Sequence, residues 1–299
     1  MAGTKTEVTV GGRTLSLTNL DKVLYPACGF TKAQVIDYHT RIAEVYLRHL
    51  RARPVTLKRY PNGVEGEFFY EKNCPSHAPG WMRTVTIRGE TETTYCLLDE
   101  PAALVWTANL AALELHTTLG KGDAIDVPTM VVFDLDPGDG AGIADCAAVA
   151  MRIRSMCDKL GLELFVKTSG SKGLHLGLPL NTPAAYEDTA GFAKAIAGLL
   201  AKHNPDAVTD NMRKDLRTNK VFIDWSQNRS RKTTVTAYSL RAKAEPAVST
   251  PITWDETDDL AAGGDAEAVS FVTADVLERV TEVGDLWAPV TELEQQLPA

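Results

Sequence analysis

Three aspartates at the ends of two short apolar segments have the spacing best suited to chemistry in this 299-residue chain. Asp134 and Asp136 follow the apolar run Met130–Phe133. Because side chains alternate along a strand, both aspartates point to the same side, and a hard cation such as Mg²⁺ or Mn²⁺ would relieve their repulsion. Taken alone, this pair is equally compatible with carboxylates that merely end a strand. Asp224, which ends a second apolar run, supplies the third carboxylate that a two-metal site needs.

A loop rich in Gly and Ser lies between the two acidic segments, at residues 168–175. Small residues allow backbone N–H groups to approach an anion, while Ser169 and Ser171 add hydroxyl donors and Lys172 adds a charge. Carboxylates for metal ions together with a basic loop for phosphate indicate nucleotide chemistry.

Hydrophobic periodicity predicts the elements that position these residues. A helix is expected over residues 32–50 with Thr31 as its N-cap, and alternating runs over residues 82–98 predict a hairpin. Residues 101–116 predict a helix that ends at His116, where the helix dipole would favour the protonated imidazole. The fold class is therefore α/β (α+β), with a mainly antiparallel catalytic sheet.

Composition places the chain among globular proteins. It is 44% hydrophobic and 23% charged, as is ordinary for a globular protein. The sequence lacks a run of about 18 apolar residues, so we expect no membrane span. The five cysteines are scattered and odd in number, which favours reduced thiols in a cytosolic protein. We expect one domain over residues 1–299, with a flexible N-terminus at residues 1–12 and an acidic segment at residues 245–299 packed on the core.

The net charge of −8 argues mildly against a nucleic-acid partner, but the charge is segregated. Residues 243–299 contain thirteen acidic residues and only two basic ones, so the rest of the chain is slightly basic. Contact with phosphates needs a local positive patch, not a basic whole.

The order of motifs resembles the polymerase domain of bacterial ligase D, in the archaeo-eukaryotic primase superfamily. The central motifs are FDLDPG at 133–138, TSGSKGLH at 168–175 and VFIDWSQN at 221–228. Further matching motifs are LTNLDKVLYP at 17–26, KRYPNG at 58–63, FYEK at 69–72, ALELH at 112–116, KTT at 232–234 and YSLR at 238–241. The resemblance covers roughly residues 13–290, nearly the whole chain.

This resemblance implies a primase-like core, with an RRM-like sheet and an N-terminal α/β module. It implies template-dependent transfer of NTPs, with ribonucleotides preferred, to a primer 3′-hydroxyl by a two-metal mechanism using Mn²⁺ or Mg²⁺. The substrates would be DNA gaps, breaks or 5′-phosphate ends in non-homologous end joining, in the bacterial cytoplasm at the nucleoid. The other implied partners are NTPs or dNTPs, a separate DNA ligase and an end-binding repair protein. No membrane partner is implied. The same motifs are also compatible with a stand-alone primase-polymerase.

The resemblance also assigns roles to individual residues. The catalytic, metal-binding residues are Asp134, Asp136 and Asp224. Nucleotide-binding residues are Ser169, Ser171, Lys172, His116, Arg241, Lys58, Phe69, Tyr70 and Gln227. The DNA 5′-phosphate would be bound by Asn19, Lys22 and Lys32, and other parts of the DNA by Arg59, Arg217 and Lys232.

Two other classes of protein use some of the same features. A metal-dependent nuclease or phosphohydrolase also needs clustered acids, but it would cleave nucleic acid without any NTP. A non-catalytic binding module would bind DNA equally well in EDTA. No Lys-x-Asp-Gly ligase nucleophile motif occurs in the chain, so we do not expect ligation.

Overall fold

The computed structural model describes residues 5–89 and 91–298. Its strands are β1 (Lys5–Val10), β2 (Arg13–Thr18), β3 (Val23–Tyr25), β4 (Phe30–Thr31), β5 (Pro54–Arg59), β6 (Phe69–Glu71), β7 (Arg83–Ile87), β8 (Thr93–Leu97), β9 (Ala112–Thr118), β10 (Gly120–Lys121), β11 (Ala124–Pro128), β12 (Met130–Pro137), β13 (Phe165–Thr168), β14 (Leu174–Pro179), β15 (Val208–Thr209), β16 (Val221–Asp224), β17 (Thr233–Val235) and β18 (Pro251–Ile252). Its α-helices are α1 (Lys32–Arg41), α2 (Ala43–Leu50), α3 (Pro101–Asn109), α4 (Ile143–Asp158), α5 (Tyr186–His203), α6 (Trp254–Ala261) and α7 (Thr273–Val283).

The chain folds into two units and crosses between them more than once. Unit 1 comprises Met1–Thr118, Val235–Val248 and Val272–Gly284, and unit 2 comprises Leu119–Thr234, Ser249–Phe271 and Asp285–Ala299. The acidic C-terminal segment is divided between them: α6 contributes Leu260 to the core of unit 2, while α7 belongs to unit 1. A single domain over residues 1–299 stays a prediction.

Unit 2 is built on a sheet with the strand order β15-β16-β12-β14-β13-β18. Its pairings are antiparallel except the one between β15 and β16. Val131, Phe133 and Leu135 of β12 are buried in a core that α4 and α5 also line. Asp134 and Asp136 alternate with them and are the more accessible positions, so β12 turns its carboxylates away from that core.

Unit 1 has a sheet that contains the strands β9-β5-β8-β7 in that order, and β6 pairs with β5. The N-cap prediction is confirmed: Thr31 and Gln34 form a reciprocal capping box at the start of α1. The single helix expected over residues 32–50 is interrupted at Ile42, where α1 ends and α2 begins.

The helix predicted over residues 101–116 is wrong in its second half. Helix α3 ends at Asn109, and Ala111 adopts a left-handed backbone with φ of 55°. The chain then enters β9, so His116 lies on a strand, without the helix dipole expected to favour its charge. The apolar residues suggested one continuous helix face, but they belong to a helix and to the buried strand that follows it. Hydrophobic periodicity cannot distinguish a buried helix from a buried strand.

The predictions for the N-terminus and for the hairpin in residues 82–98 had different outcomes. Strand β1 pairs antiparallel with β2, so Lys5–Val10 is not the flexible segment that we expected for residues 1–12; residues 1–4 of that prediction lie outside the described part of the chain. The hairpin in residues 82–98 is confirmed as β7 paired with β8, although its turn residue Glu90 also lies outside the description.

The expectation of reduced cysteines is also corrected, since Cys74 and Cys96 form a disulfide. The segment after β6 runs along β8, where the Cys74 backbone N–H donates to the Thr94 carbonyl. The two cysteines therefore meet through tertiary pairing, which their spacing of 22 residues does not reveal. Cys28, Cys146 and Cys157 are free thiols.

Candidate active site

A row of polar residues crosses the centre of the unit 2 sheet. Strand register places Lys167 of β13 opposite His175 of β14, His175 opposite Asp134 of β12, and Asp134 opposite Asp224 of β16. We call these four residues the polar row. Asp136 is two residues beyond Asp134 on the same side of β12. The structure therefore brings Asp134 and Asp224, two of the predicted catalytic carboxylates, to adjacent strands.

Hydrogen bonds fix the two facing carboxylates. Asp224 caps a short 3-10 helix (Trp225–Asn228): its Oδ1 accepts from the Ser226 backbone N–H at 3.0 Å and from the Ser226 hydroxyl at 2.6 Å. The Gln227 side-chain amide donates to Oδ2 of Asp224 at 3.1 Å and to Oδ2 of Asp134 at 3.4 Å. Gln227, predicted to bind nucleotide, thus joins the two acids.

The donor chemistry of this group suits a hard divalent ion, because every candidate ligand is a carboxylate oxygen. The Gln227 amide donor, shared by two carboxylates, occupies a position that also attracts a cation. Within residues 5–89 and 91–298, no group of three or more His, Cys, Asp and Glu side chains has the close arrangement of a metal centre. The Gln227 amide nitrogen lies at the Oδ2 atoms of both acids, the position that an ion shared by Asp134 and Asp224 would take.

Sequence reasoning did not predict that the two other members of the polar row, His175 and Lys167, support the candidate carboxylates. His175 Nε2 lies 3.1 Å from Asp134 Oδ1, and His175 Nδ1 lies 3.2 Å from Lys167 Nζ. Both side chains are buried, Lys167 with 3% exposure and His175 with 6%. His175 belongs to the recognised loop motif, but a lysine in a strand that is otherwise apolar carries no pattern of its own.

The predicted phosphate loop is a tight turn organised by Ser169. Its hydroxyl oxygen accepts from the backbone N–H groups of Ser171 and Gly173, both at 3.2 Å. Gly173 is required, because a Cβ there would lie 1.9 Å from the Leu135 carbonyl oxygen of β12. Ser169 is thus buried inside the loop, whereas Ser171 and Lys172 are exposed on it and available to an anion.

A second polar cluster, in unit 1, surrounds a carboxylate that sequence reasoning did not single out as a site residue. Glu114 of β9 is buried; its Oε1 lies 3.2 Å from Lys58 Nζ and accepts from Tyr60 Oη at 3.1 Å. Its Oε2 lies 3.1 Å from His116 Nε2 and 3.6 Å from Arg241 Nε. The structure therefore brings together three predicted nucleotide-binding residues, Lys58, His116 and Arg241, around one acid.

Burial and charge act in opposite directions on this cluster. Burial raises the pKa of Glu114, but the hydrogen bond from His116 and the positive charges of Arg241 and Lys58 outweigh it, so the pKa falls well below the ordinary value. Burial lowers the pKa of His116, and its hydrogen bond to Glu114 offsets only part of that change. The direction of this pKa shift disfavours the protonated imidazole, contrary to the helix-dipole prediction, and Nε2–H donates to the carboxylate.

Aromatic side chains next to this cluster are exposed. Phe68, Phe69 and Tyr70 are 51%, 43% and 55% exposed, so none of the three is a core residue. Lys58 Nζ lies 4.4 Å from the Phe68 ring centroid, and the Arg59 guanidinium lies 5.1 Å from that of Phe69. Exposed aromatic rings held beside cations are suited to stacking on nucleobases.

The three residues predicted to bind a 5′-phosphate lie close together in unit 1. Asn19 adopts a left-handed backbone with φ of 54°, and its carbonyl accepts from the Lys22 backbone N–H. Lys22 Nζ donates to Asn62 Oδ1 at 3.1 Å, while the buried Lys32 Nζ donates to the Thr18 carbonyl at 2.6 Å. Burial, together with the charges of Lys22 and Arg59, lowers the pKa of Lys32 to about 8.

The residues predicted to contact other parts of the DNA are in different surroundings. Arg59 Nη1 pairs with Glu71 at 2.7 Å. The Arg217 guanidinium lies 3.7 Å from the Phe222 ring centroid, and its Nη2 donates to the Met212 carbonyl at 2.6 Å. Lys232 is exposed in the loop after the 3-10 helix. Two of the three are thus engaged within the protein.

None of the helices in the described part of the chain is both long enough and apolar enough to cross a membrane.

Comparison with known proteins identifies the class to which this fold and site belong. A family profile described as "LigD, primase-polymerase domain" matches residues 31–287. The chain is 43% identical over 277 residues to the multifunctional non-homologous end joining protein LigD of Mycolicibacterium smegmatis, covering 92% of this chain and 36% of that protein. It is 30% identical over 243 residues to the bifunctional non-homologous end joining protein LigD of Bacillus subtilis, covering 81% of this chain and 39% of that protein.

A solved structure agrees with these matches. The polymerase domain from Mycobacterium tuberculosis ligase D, in complex with DNA, superposes with a TM-score of 0.87 at 41% identity, covering 94% of this chain and 99% of that one. The chain therefore belongs to the LigD primase-polymerase domain family, a family of nucleotidyltransferases, and the predicted mixed α/β fold is confirmed. It spans little more than a third of the length of the LigD proteins that it matches.

Proposed function

We propose that this chain is the polymerising module of DNA end joining, and that it adds nucleotides, ribonucleotides in preference, to a primer 3′-hydroxyl at gaps or breaks. The observation that supports this most is the cross-strand pairing of Asp134 with Asp224, with Asp136 on the same side of β12. Membership of the polymerase family supports the reaction class, and relatives named for non-homologous end joining support the repair pathway.

Asp134, Asp136 and Asp224 would hold two divalent ions, Mn²⁺ or Mg²⁺. Such ions lower the pKa of the attacking hydroxyl and neutralise the triphosphate. The chain's own residues prepare the carboxylates: His175 donates to one oxygen of Asp134, and Ser226 donates twice to one oxygen of Asp224. The second oxygen of each acid faces the Gln227 amide, whose place an ion would take.

Within unit 2, the exposed Ser171 and Lys172 of the loop would bind the phosphates of the nucleotide, with Ser169 shaping the turn. Within unit 1, Lys58, His116 and Arg241 would contact nucleotide phosphates or sugar, and Phe69 and Tyr70 would stack on bases. Asn19, Lys22 and Lys32 would bind a DNA 5′-phosphate, and Arg59, Arg217 and Lys232 other phosphates of the DNA.

Primer extension on gapped DNA tests the proposal. Each NTP and dNTP is supplied alone, with Mn²⁺, Mg²⁺ or EDTA. We expect templated extension that needs the ion and is faster with ribonucleotides. Cleavage of the DNA in the absence of any nucleotide would identify the metal-dependent nuclease or phosphohydrolase instead, and binding that is unchanged in EDTA without extension would identify a non-catalytic module.

A further inference from the structure

Lys167 occupies an unusual place for a lysine, in the middle of a sheet and 3% exposed. A buried ammonium is costly unless it is paired or hydrogen-bonded, so its partners indicate why it is tolerated. Lys167 Nζ donates to Ser249 Oγ at 2.6 Å and lies 3.2 Å from His175 Nδ1. The Trp287 ring, whose centroid is 6.0 Å from Nζ, also packs near the ammonium.

The donor and acceptor roles along the polar row follow from elementary chemistry. Two groups face His175 Nδ1: the Lys167 ammonium at 3.2 Å and the Thr234 hydroxyl at 3.4 Å. The hydroxyl can donate or accept, but an ammonium group has three donors and no acceptor, so Nδ1 accepts from Lys167. A neutral imidazole that accepts at Nδ1 carries its proton on Nε2. Nε2–H then donates to Asp134 Oδ1, from which it lies 3.1 Å.

Ser249 fixes the far end of this chain of hydrogen bonds. Its hydroxyl accepts from Lys167 and donates to the Thr168 carbonyl at 2.8 Å, so its orientation is set by the backbone of β13. The order of donation therefore runs from the ammonium to the imidazole and from the imidazole to the carboxylate. Reversal of the imidazole tautomer would place two donors against each other at Nδ1 and two acceptors against each other at Nε2.

We propose that Lys167 is a positioning residue, which acts through the tautomer of His175 to orient the Asp134 carboxylate for a divalent ion. The His175 ring lies between Lys167 and Asp134, and Ser249 supports Lys167 from the other side. The proposal rests on the proposed metal-binding role of Asp134. Groups that orient a metal ligand from behind commonly change metal affinity or activity 10- to 100-fold when removed.

The first test observes the tautomer in the absence of metal. Two-bond ¹⁵N–¹H correlation spectra distinguish a ring nitrogen that carries a proton from one that accepts, and the His175→Gln variant assigns the signals. In the unmodified protein we expect protonated Nε2 and accepting Nδ1. In the Lys167→Met variant Nδ1 loses the ammonium donor, so its ¹⁵N signal should shift, and a second population with the proton on Nδ1, facing the Thr234 hydroxyl, should appear beside the one held by Asp134. A tautomer in the unmodified protein with its proton on Nδ1, or an Nδ1 signal that Lys167→Met leaves unchanged, would overturn the proposal.

The second test measures Mn²⁺ affinity from the electron paramagnetic resonance of the free ion. Lys167→Met should weaken binding about 10-fold, and Lys167→Arg should restore part of the loss. The matched control is Lys202→Met, which removes an exposed lysine from α5 and should leave the affinity unchanged. Ser249→Ala, a milder change, should weaken binding in the same direction and serves if Lys167→Met does not fold.

A double-variant cycle separates positioning from general stabilisation. If Lys167 acts through His175, Lys167→Met should weaken Mn²⁺ binding little further in a His175→Gln background. Equal losses in both backgrounds would make Lys167 a structural residue only. If the unmodified protein bound no Mn²⁺, the proposed metal site would fail, and the metal-free tautomer would still decide the role of Lys167.

Discussion

At the scale of single residues, polar partners hold the facing acids of the candidate site: His175 contacts Asp134, and Ser226 donates to Asp224. Asp134 and Asp136 stand out because two acids alternate at the end of an apolar run. Glu114 and Lys167 can be recognised as site residues only in the folded structure, because their partners are far away in the sequence. Glu114 pairs with Arg241, and Lys167 donates to Ser249. A buried charged side chain has no characteristic local sequence pattern, because it is stabilised by opposite charges and hydrogen bonds from distant segments.

The Asp134→Asn variant tests the central carboxylate with little change in shape. Because the amide keeps the size of the side chain but loses its charge, we expect a fall in extension rate of about 100-fold or more. Primer extension measures the rate, and thermal unfolding checks that the variant is folded. Asp123→Asn, an exposed acid of the same unit, is the control and should retain full activity. Near-normal extension by Asp134→Asn in either ion would refute its catalytic role.

At the scale of elements, strands with clear alternation and capped helices were predictable, as β12, the β7–β8 hairpin and Thr31 show. The failure at residues 101–116 came from a segment in which helix and strand are both almost wholly buried, so that neither period is visible. The break at Ala111 has no Gly or Pro to mark it, because a non-glycine residue adopts the left-handed turn.

The loop that follows β13 depends on a glycine, which gives a prediction at this scale. Gly173→Ala would force a Cβ against the Leu135 carbonyl, so the loop must shift from β12. We expect weaker nucleotide binding, about 10-fold or more, and a lower melting temperature. Gly191→Ala is the control: it lies in α5 with open space around it and should be neutral or stabilise the helix by up to about 1 kcal/mol. Calorimetric titration with an NTP measures the binding, and equal affinities for both variants would contradict the close contact.

His39 of α1 gives a prediction about pH. Burial lowers its pKa to about 4, and the nearby Leu104 backbone opposes only part of that change. Among the residues that the structure describes, none meets hydrogen-bond geometry with either ring nitrogen. Since the unfolded chain takes up the proton near pH 6.5 and the folded one only near pH 4, stability is lost as pH falls through that window. The total is about 3 kcal/mol, at 1.36 kcal/mol for each pH unit.

The His39→Leu variant should lack this contribution, so its free energy of unfolding should fall less between pH 7 and pH 4. Denaturant titrations at several pH values measure the difference from the unmodified protein. His203→Leu, which removes an exposed histidine at the end of α5, should behave like the unmodified protein. Parallel pH curves for His39→Leu and the unmodified protein would show that His39 does not titrate in this way.

At the scale of the whole molecule, a net charge of −8 must be reconciled with the proposed DNA substrate. The acidic residues are concentrated after residue 243, whereas Lys22, Lys32 and Arg59 lie close enough in unit 1 for their charges to lower the pKa of Lys32. Neighbouring cations that repel one another create a local positive potential that attracts an anion, and a bound phosphate would relieve the repulsion. Specific contact at one phosphate is therefore compatible with an acidic protein.

We accordingly predict that binding to gapped DNA depends on a 5′-phosphate at the downstream side of the gap. Lys22 is exposed and holds Asn62, so Lys22→Ala should remove a phosphate contact without disturbing the core. Lys32 also supports the Thr18 carbonyl from a buried position, so Lys32→Ala is expected to cost stability as well. The preference for phosphorylated over unphosphorylated gaps should fall about 5- to 10-fold in Lys22→Ala, within the range of one charge-assisted contact.

Titration of two gapped duplexes, identical except for the phosphate, measures this preference at fixed salt, because non-specific phosphate binding varies steeply with salt. Lys5→Ala, an exposed lysine of β1, is the control and should keep the full preference. Extension of a simple primer-template, which has no downstream phosphate, should be little affected by Lys22→Ala. Equal affinity of the unmodified protein for the two gapped duplexes would rule out a phosphate pocket, whereas an equal loss on both duplexes in Lys22→Ala would make Lys22 a general backbone contact.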